Sequence, residues 1–198
     1  MANIIVTIGR EYGSGGREIG EKLAKELGFA FYDKELLKIV AEKSGIQEQV
    51  LQKADEAASN PLFAPYYPPS IDPGSLNDRV FRMQADLIKE KADQENCVIV
   101  GRCANYVLED RENVIRVFIY ADIEKRINRI MSRHGIVDRD VAVKLIKKID
   151  KQRRSYYQFY TEMKWGRIEG QDILIDSGLL GVDGTVALLK SIVEEKMK

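Results

Sequence analysis

The chain of 198 residues has one histidine, one tryptophan and two cysteines, and all five of its prolines fall between Pro61 and Pro73. Each scarcity excludes something. Cys97 and Cys103 flank a Gly-Arg pair at a spacing that suits neither a CxxC redox pair nor a zinc knuckle, so both read as reduced, packed thiols and no metal site is expected. The single His134 precedes Gly135 at an expected helix end, where the helix dipole favours its charged form, and it reads as a cap rather than a catalyst. No nucleophile stands beside a base at local spacing, so covalent hydrolase chemistry has no support. Charge of one sign is also missing: 31 Lys plus Arg balance 31 Asp plus Glu, which removes the footprint of a protein that grips a nucleic-acid polymer or lies on an anionic membrane, local basic patches aside. Long apolar runs are absent as well. The first, Ile4 to Ile8, falls far short of the ~20 residues that span a bilayer, and no basic leader or cleavage site accompanies it. A cytoplasmic protein is expected, with nothing that indicates a homo-oligomer. At this length roughly 70% of the unfolded chain's surface can be buried, so neither metal nor disulfide is needed to hold the fold.

What is present alternates. Ile4 to Ile8 is a β-branched run without polar alternation, the pattern of a strand covered on both faces. After a glycine-rich turn, Ile19, Leu23, Ala24 and Leu27 recur at helical spacing and Gly28 ends the helix. Phe29 to Tyr32 reads as a second strand, with Asp33 where an N-cap belongs before Leu36, Leu37 and Val40. Helical spacing continues from Gln47 to Ala58. The proline segment is then an ordered or semi-rigid excursion, since proline fixes φ and removes donors. Ser75 could cap a helix running to about Glu95. Cys97 to Val100 and Val114 to Tyr120 are further strands, followed by helices from Asp122 to His134 and from Asp138 to about Lys164, a strand at Asp172 to Ile175 and a helix after Asp183. Five strands alternating with helices give an α/β domain with helices on both faces of a mostly parallel sheet. Ligands in such folds bind beyond the carboxyl ends of the strands, which points to residues 9–17, to Gly101-Arg102 and to the loop after Tyr120.

The turn Gly9-Arg-Glu-Tyr-Gly13-Ser14-Gly15-Gly16-Arg17 lies where a strand hands over to a helix N-terminus. Converging backbone amides and the helix dipole make such a turn an anion site; Ser14 adds a hydroxyl and Arg17 a planar fork for phosphate oxygens. A tight βα turn that merely needs glycines is the plainer alternative. Against the phosphate-loop pattern GxxxxGK[ST], Gly9 and Gly15 are one residue too far apart, no lysine follows, and Glu18 stands near the place of the magnesium-binding hydroxyl. Arg17 could replace the missing cation; Glu18 would have to turn away, cap the helix or hold the metal.

These residues resemble the cytidylate kinase-like family, a branch of the P-loop nucleoside monophosphate kinases whose loop often reads REYGSGGRE. The opening segment IIVTIGREYGSGGREIGEKLAKELGFAFYDKELL carries most of the likeness; VIVGRCANYVL, VFIYADIEKRINRI, KKIDKQRRSYY and ILIDS extend it in order. The resemblance implies a three-layer α/β/α P-loop kinase fold with a five-stranded sheet, in one domain spanning 1–198. Its core would be 1–44 and 96–198, its helical acceptor-binding insertion about 45–95, and its short lid about 133–155. It also implies ATP and Mg²⁺ as cofactors and small nucleotides as partners, with γ-phosphoryl transfer to a nucleoside monophosphate.

Phosphoryl transfer asks mainly for positioning and for positive charge on the migrating group. Gly13, Ser14, Gly15, Gly16, Arg17 and Glu18 form the candidate donor site. Arg126, Arg129 and Arg133 would share a helix face, and the first two, with Arg17 and Arg154, are the candidate catalytic cations. Asp33, Arg79, Arg102, Asp150 and Arg153 are candidates for the acceptor: Asp150 with Arg153 resembles the family's D-x-x-R, and Arg102 the arginine of its GRD motif. Solvated ion pairs explain any one of these arginines equally well, Arg79 and Arg82 included. Tyr66-Tyr67 and Tyr156-Tyr157 could stack on a base or simply pack. Two departures bear on substrate: Cys103 replaces the aspartate of GRD, and Asp33-Lys34-Glu35 replaces the family's Asp-Ser-Gly, so groups that read cytosine are missing. Two other readings stay open, a nucleotide-binding regulatory protein that lost catalysis and a small-metabolite kinase of the same fold.

Overall fold

The computed structural model describes residues 3–33, 35–47, 49–51 and 76–198. Five strands, β1 (Ile5–Arg10), β2 (Ala30–Tyr32), β3 (Cys97–Val100), β4 (Val114–Tyr120) and β5 (Ile173–Asp176), form one sheet in the order β2-β3-β1-β4-β5, and every recorded pairing is parallel. The helices are α1 (Gly16–Leu27), α2 (Glu35–Ser44), α3 (Leu76–Gln94), α4 (Ala104–Val107), α5 (Ile123–His134), α6 (Arg139–Thr161) and α7 (Ser177–Lys196).

The strands are apolar on both sides because both sides are covered. Val6, Ile8, Val98, Val117 and Ile119 pack with Ile19, Leu23 and Ala24 of α1 and Val186, Leu189 and Val193 of α7. On the opposite face Ile5, Cys97, Ile99 and Val114 meet Leu36, Leu37 and Val40 of α2, Leu87 and Ile88 of α3, and Ala104 of α4. A third cluster, Ile127, Ile130, Ala142 and Ile146, joins α5 to α6. Both cysteines are buried and free, as the sequence suggests.

The chain leaves β1 toward the α1 face and leaves β3 toward the α4 face, so their exits diverge. That divergence opens a crevice beyond the carboxyl ends of two neighbouring strands. Register aligns these ends, with Ile8 opposite Val100 and Arg10 opposite Ile119.

The last helix begins earlier than its periodicity indicates. Asp176 caps it by accepting from the Gly178 amide, and a break at Gly181 (φ 69°, ψ −179°) separates a first turn from the amphipathic stretch that starts near Asp183. That break hides the first turn from a search for helical spacing. The expected proline excursion, Tyr66-Tyr67, Ser75 and most of the Gln47 to Ala58 stretch lie outside the described residues.

Candidate active site

The glycine turn is a shaped loop. Gly13 and Gly15 have φ of 85° and 83°, a region costly for residues with a Cβ, and Gly15 is the N-cap of α1 with no side-chain cap. The first amides of α1 therefore have no intrahelical acceptor and face out of the helix end together with its dipole. Tertiary contacts hold the loop from behind. The buried Ser14 hydroxyl donates to the Glu11 carbonyl (2.9 Å), and the Ser177 hydroxyl donates to the Ser14 carbonyl (2.6 Å). The Ser14 hydroxyl is thus used inside the fold, and its amide also turns back to the Glu11 carbonyl (3.4 Å), so the amides left for a ligand are those that follow it.

Helix α5 closes the other side. A Cβ on Gly13 would lie 3.0 Å from the Arg126 carbonyl oxygen, and one on Gly15 would lie 3.0 Å from Arg129 Nη1, so the Arg129 guanidinium rests against the loop. Glu18, the residue that looked awkward for an anion site, turns to Arg129 (3.4 Å) and Lys22 (3.7 Å). Its carboxylate steadies a cation over Gly15 rather than filling the turn.

The arginines expected on one face of α5 separate by depth. Arg133 is exposed and Arg129 half-buried, whereas Arg126 is buried and its guanidinium is spent on the protein: it donates to Asp150, to Glu11 (3.0 Å) and to the Tyr12 carbonyl (2.8 Å). Asp150 also accepts from the Tyr12 amide (2.7 Å), so this pair locks the entry of the loop to α6. Burial pushes the Glu11 carboxyl above its ordinary value, opposed by the Arg126 charge and the Ala121 amide.

A second group gathers at the β1 and β3 exits. Arg17, in the first turn of α1, turns toward the end of β2: its Nε donates to Asp33 (2.8 Å), its Nη1 to Glu21 (3.0 Å), and its guanidinium lies over Phe31 (5.8 Å). Those contacts hold it above its ordinary value, the Asp33 hydrogen bond contributing most. Asp33, buried, also faces Arg10 at 3.9 Å. Arg153 donates to the Arg10 carbonyl (3.1 Å) and lies over the Tyr12 ring (5.5 Å), while burial pushes its guanidinium down. Arg102 follows Gly101 at φ 56° and is felt electrostatically by Arg10.

Two expected residues stand apart. Arg79 is on the exposed side of α3, and among the described residues no hydrogen bond or ion pair joins it to this group. Arg154 is apart from the second group but not from the loop: it lies over the Trp165 ring (5.7 Å) at a cleft of about 300 Å³ lined also by Glu11, Phe118 and Tyr120, and its charge acts on Glu11. Tyr157 packs, its hydroxyl accepting from Asn105 (2.8 Å), and His134 ends α5 with its ring nitrogen 3.0 Å from the Tyr12 hydroxyl. Sequence reasoning missed Arg10 and Glu11. Arg10 ends a buried parallel strand and Glu11 follows it directly, and a charged pair at that position was the available signal.

Residues 5–179 match the cytidylate kinase-like family. The chain belongs to that family. It is similar to the cytidylate kinase of Pyrococcus furiosus, 23% identical over 192 residues that cover 96% of this chain and 88% of that one. With the cytidylate kinase of Archaeoglobus fulgidus it is 26% identical over 199 residues, 96% and 95% of the two chains. Among solved structures, an uncharacterized protein from Eubacterium ventriosum is 34% identical with a TM-score of 0.73 over 97% of this chain and 99% of that one. A shikimate kinase from Bacteroides thetaiotaomicron, 14% identical, shares the fold with a TM-score of 0.53 over 96% and 98%. The fold is that of the P-loop kinases. In this chain Cys103 follows Arg102, and Asp33 is already bound by Arg17.

Proposed function

We propose that this cytidylate kinase-like protein is a phosphotransferase that uses ATP with Mg²⁺ to phosphorylate a nucleoside monophosphate or a similar small acceptor. The observation that carries this reading is the loop of residues 13–17: outward amides at a helix N-terminus, two left-handed glycines, and an arginine from α5 against Gly15. This cradle suits a polyphosphate, and Gly13, Gly15, Gly16 and Arg17 would hold it through their backbone amides, with Ser14 shaping the turn between them. ATP supplies the phosphoryl group. Among the described residues no cluster of three or more His, Cys, Asp or Glu could hold a metal, so Mg²⁺ would arrive on the nucleotide's own phosphates, as hard dications commonly do.

In this reading Arg129, steadied by Glu18, neutralises charge on the donor side, while Arg126 acts indirectly by fixing the loop's entry through Tyr12 and Asp150. Arg17, Asp33, Arg102 and Arg153 define the acceptor side. Residues about 133–155 act as the lid and about 45–95 as the acceptor insertion. No described helix is long and apolar enough to cross a membrane, which fits a protein that meets its substrates in the cytoplasm.

Phosphate-loop replacement of lysine leaves one competitor with a specific observation behind it. Arg17 points to Asp33 and not toward the donor, which favours a nucleotide-binding regulatory protein without turnover. Coupled ADP release with a panel of monophosphates and polyols decides. Turnover of a monophosphate supports the proposal, turnover of a polyol alone favours a small-metabolite kinase, and ATP binding without turnover favours the regulator. Arg17→Ala should lower turnover at least tenfold, about 1.4 kcal/mol of barrier, and unchanged turnover removes it from the mechanism.

A further inference from the structure

Arg10 ends β1 and extends across the crevice between the β1 and β3 exits. Two turns are shaped around it. A Cβ on Gly16 would fall 2.5 Å from Arg10 Cβ, and one on Gly101, at φ 81°, would collide with Arg10 Nη1. A side chain at either glycine would take the space that the arginine occupies, so the passage is built for this residue.

Its charge is poorly matched. The electrostatic neighbours of Arg10 include Arg153, Arg102, Asp33 and Asp150, but neither carboxylate is its own: Asp33 makes its close contact with Arg17 (2.8 Å, against 3.9 Å to Arg10), and Asp150 bonds Arg126. Arg10 Nε is buried and, among the described residues, has no hydrogen-bond partner. Burial first, and then the Arg153 charge, push this guanidinium down to about 9. An incompletely partnered cation in a fixed fork, with a fifth of the side chain still open to solvent, is a seat for an oxyanion.

Its position says which oxyanion. The guanidinium lies against Gly101 and beside Asp33, on the β2 and β3 side of the loop, whereas Arg129 lies against Gly15 on the α5 side. We propose that Arg10 is an acceptor-binding residue that grips the phosphate of a phosphomonoester acceptor in a bidentate fork, together with Arg153 and Arg102, and that Asp33 holds it in line until the acceptor arrives. The inference rests on the phosphotransferase reading and deepens it. The recognition element of the acceptor is its phosphate, bound by the strand end itself, so the bond made is a phosphoanhydride. An acceptor phosphate oxygen attacks the γ-phosphorus of ATP, the bond to the β-bridging oxygen breaks, and that electron pair leaves with ADP.

The test measures binding by calorimetry of the four common ribonucleoside monophosphates, each against its own nucleoside, and of ATP, with wild type, Arg10→Gln and Arg10→Lys. A monophosphate should bind the wild type and its nucleoside should not; Arg10→Gln should weaken that monophosphate about ten- to hundredfold, as expected for a charge-assisted hydrogen bond, with ATP affinity unchanged. Arg10→Lys, which keeps the charge without the fork, tests bidentate geometry and guards against a misfolded Gln variant; it should retain ATP affinity and recover only part of the monophosphate affinity. In steady state the KM for the acceptor should rise while the KM for ATP stays. Equal loss of monophosphate and ATP affinity in both variants would make Arg10 a scaffold residue and overturn the inference. Monophosphate binding that ignores both variants would overturn it while leaving the phosphotransferase reading intact. A wild type that binds neither ATP nor any monophosphate would overturn both.

Discussion

Removing the Asp150 carboxylate should damage this protein through its stability as well as its chemistry, and the size of the damage follows from the partners left behind. Asp150 and Arg126 side chains are 12% and 7% exposed, so the pair is largely out of water. Breaking such a pair from one side commonly costs about 3–5 kcal/mol, because the remaining charge is stranded. Here Arg126 keeps Glu11 at 3.0 Å and the Tyr12 carbonyl at 2.8 Å, which places Asp150→Ala at the low end, about 3 kcal/mol. For a chain of this length that corresponds to a fall of about 6–12 °C in Tm. Asp150→Asn keeps an oxygen for the Tyr12 amide and should cost less. The decisive assay is a double-mutant cycle in urea with Arg126→Met, where the pair should show a favourable coupling of about 1–3 kcal/mol. Additivity within about 0.5 kcal/mol would refute the argument that these two groups form one strut beneath the loop.

Other consequences are separable. Arg129→Ala should cost under about 1 kcal/mol of stability, since its pair with Glu18 is half-exposed, yet lower turnover at least tenfold; a large stability loss or unchanged turnover contradicts its place over Gly15. Gly16→Ala should destabilise by about 1–3 kcal/mol and weaken acceptor and donor together, because its Cβ meets Arg10 Cβ; a neutral melt would show that the passage has slack. For Glu11 the sign is set by burial. A carboxyl held above its unfolded value binds its proton more tightly in the fold, so this residue's favourable contribution is complete below the unfolded value and is lost as pH rises through the folded one. Glu11→Gln should flatten that decline in a pH series of urea melts, and an unaltered slope would assign the decline elsewhere.

The layering was legible because each strand is a compact apolar run and each helix repeats its apolar residues at helical spacing, signals that survive without any tertiary information. Ile5 to Ile8, Cys97 to Val100 and Val114 to Tyr120 all fall on strands of the sheet, with Ile4 just ahead of the first. The site was legible only as a neighbourhood. Spacing along α5 puts Arg126, Arg129 and Arg133 on one stripe, but nothing in spacing says that Asp150, on another helix, meets the first of them and leaves the second against the loop. Arg10 was hidden for a related reason. Its partners, Gly16, Asp33, Gly101 and Arg153, come from four other places in the chain, and only the sheet order 2-3-1-4-5 brings the β1 and β3 exits side by side.

The same three-dimensional exchange bears on the missing lysine. In the usual phosphate-loop pattern a lysine following the glycines places its ammonium from the helix over the bound phosphates; here the α1 position holds Arg17, and its fork is drawn to Asp33 and to Glu21 one turn along α1. A cation nonetheless stands at the glycines, delivered from α5 as Arg129 and oriented by Glu18. Glu18 then has a role that a serine or threonine in its place could not fill: without a carboxylate at that point, Arg129 would lose its tether and the loop its fixed positive charge. The two departures from the usual phosphate-loop pattern, the lysine lost and the glutamate gained, are on this argument one coupled change. In the proposed enzyme Glu18→Gln should therefore cost turnover in the same direction as Arg129→Ala, and the double variant should be no worse than Arg129→Ala alone.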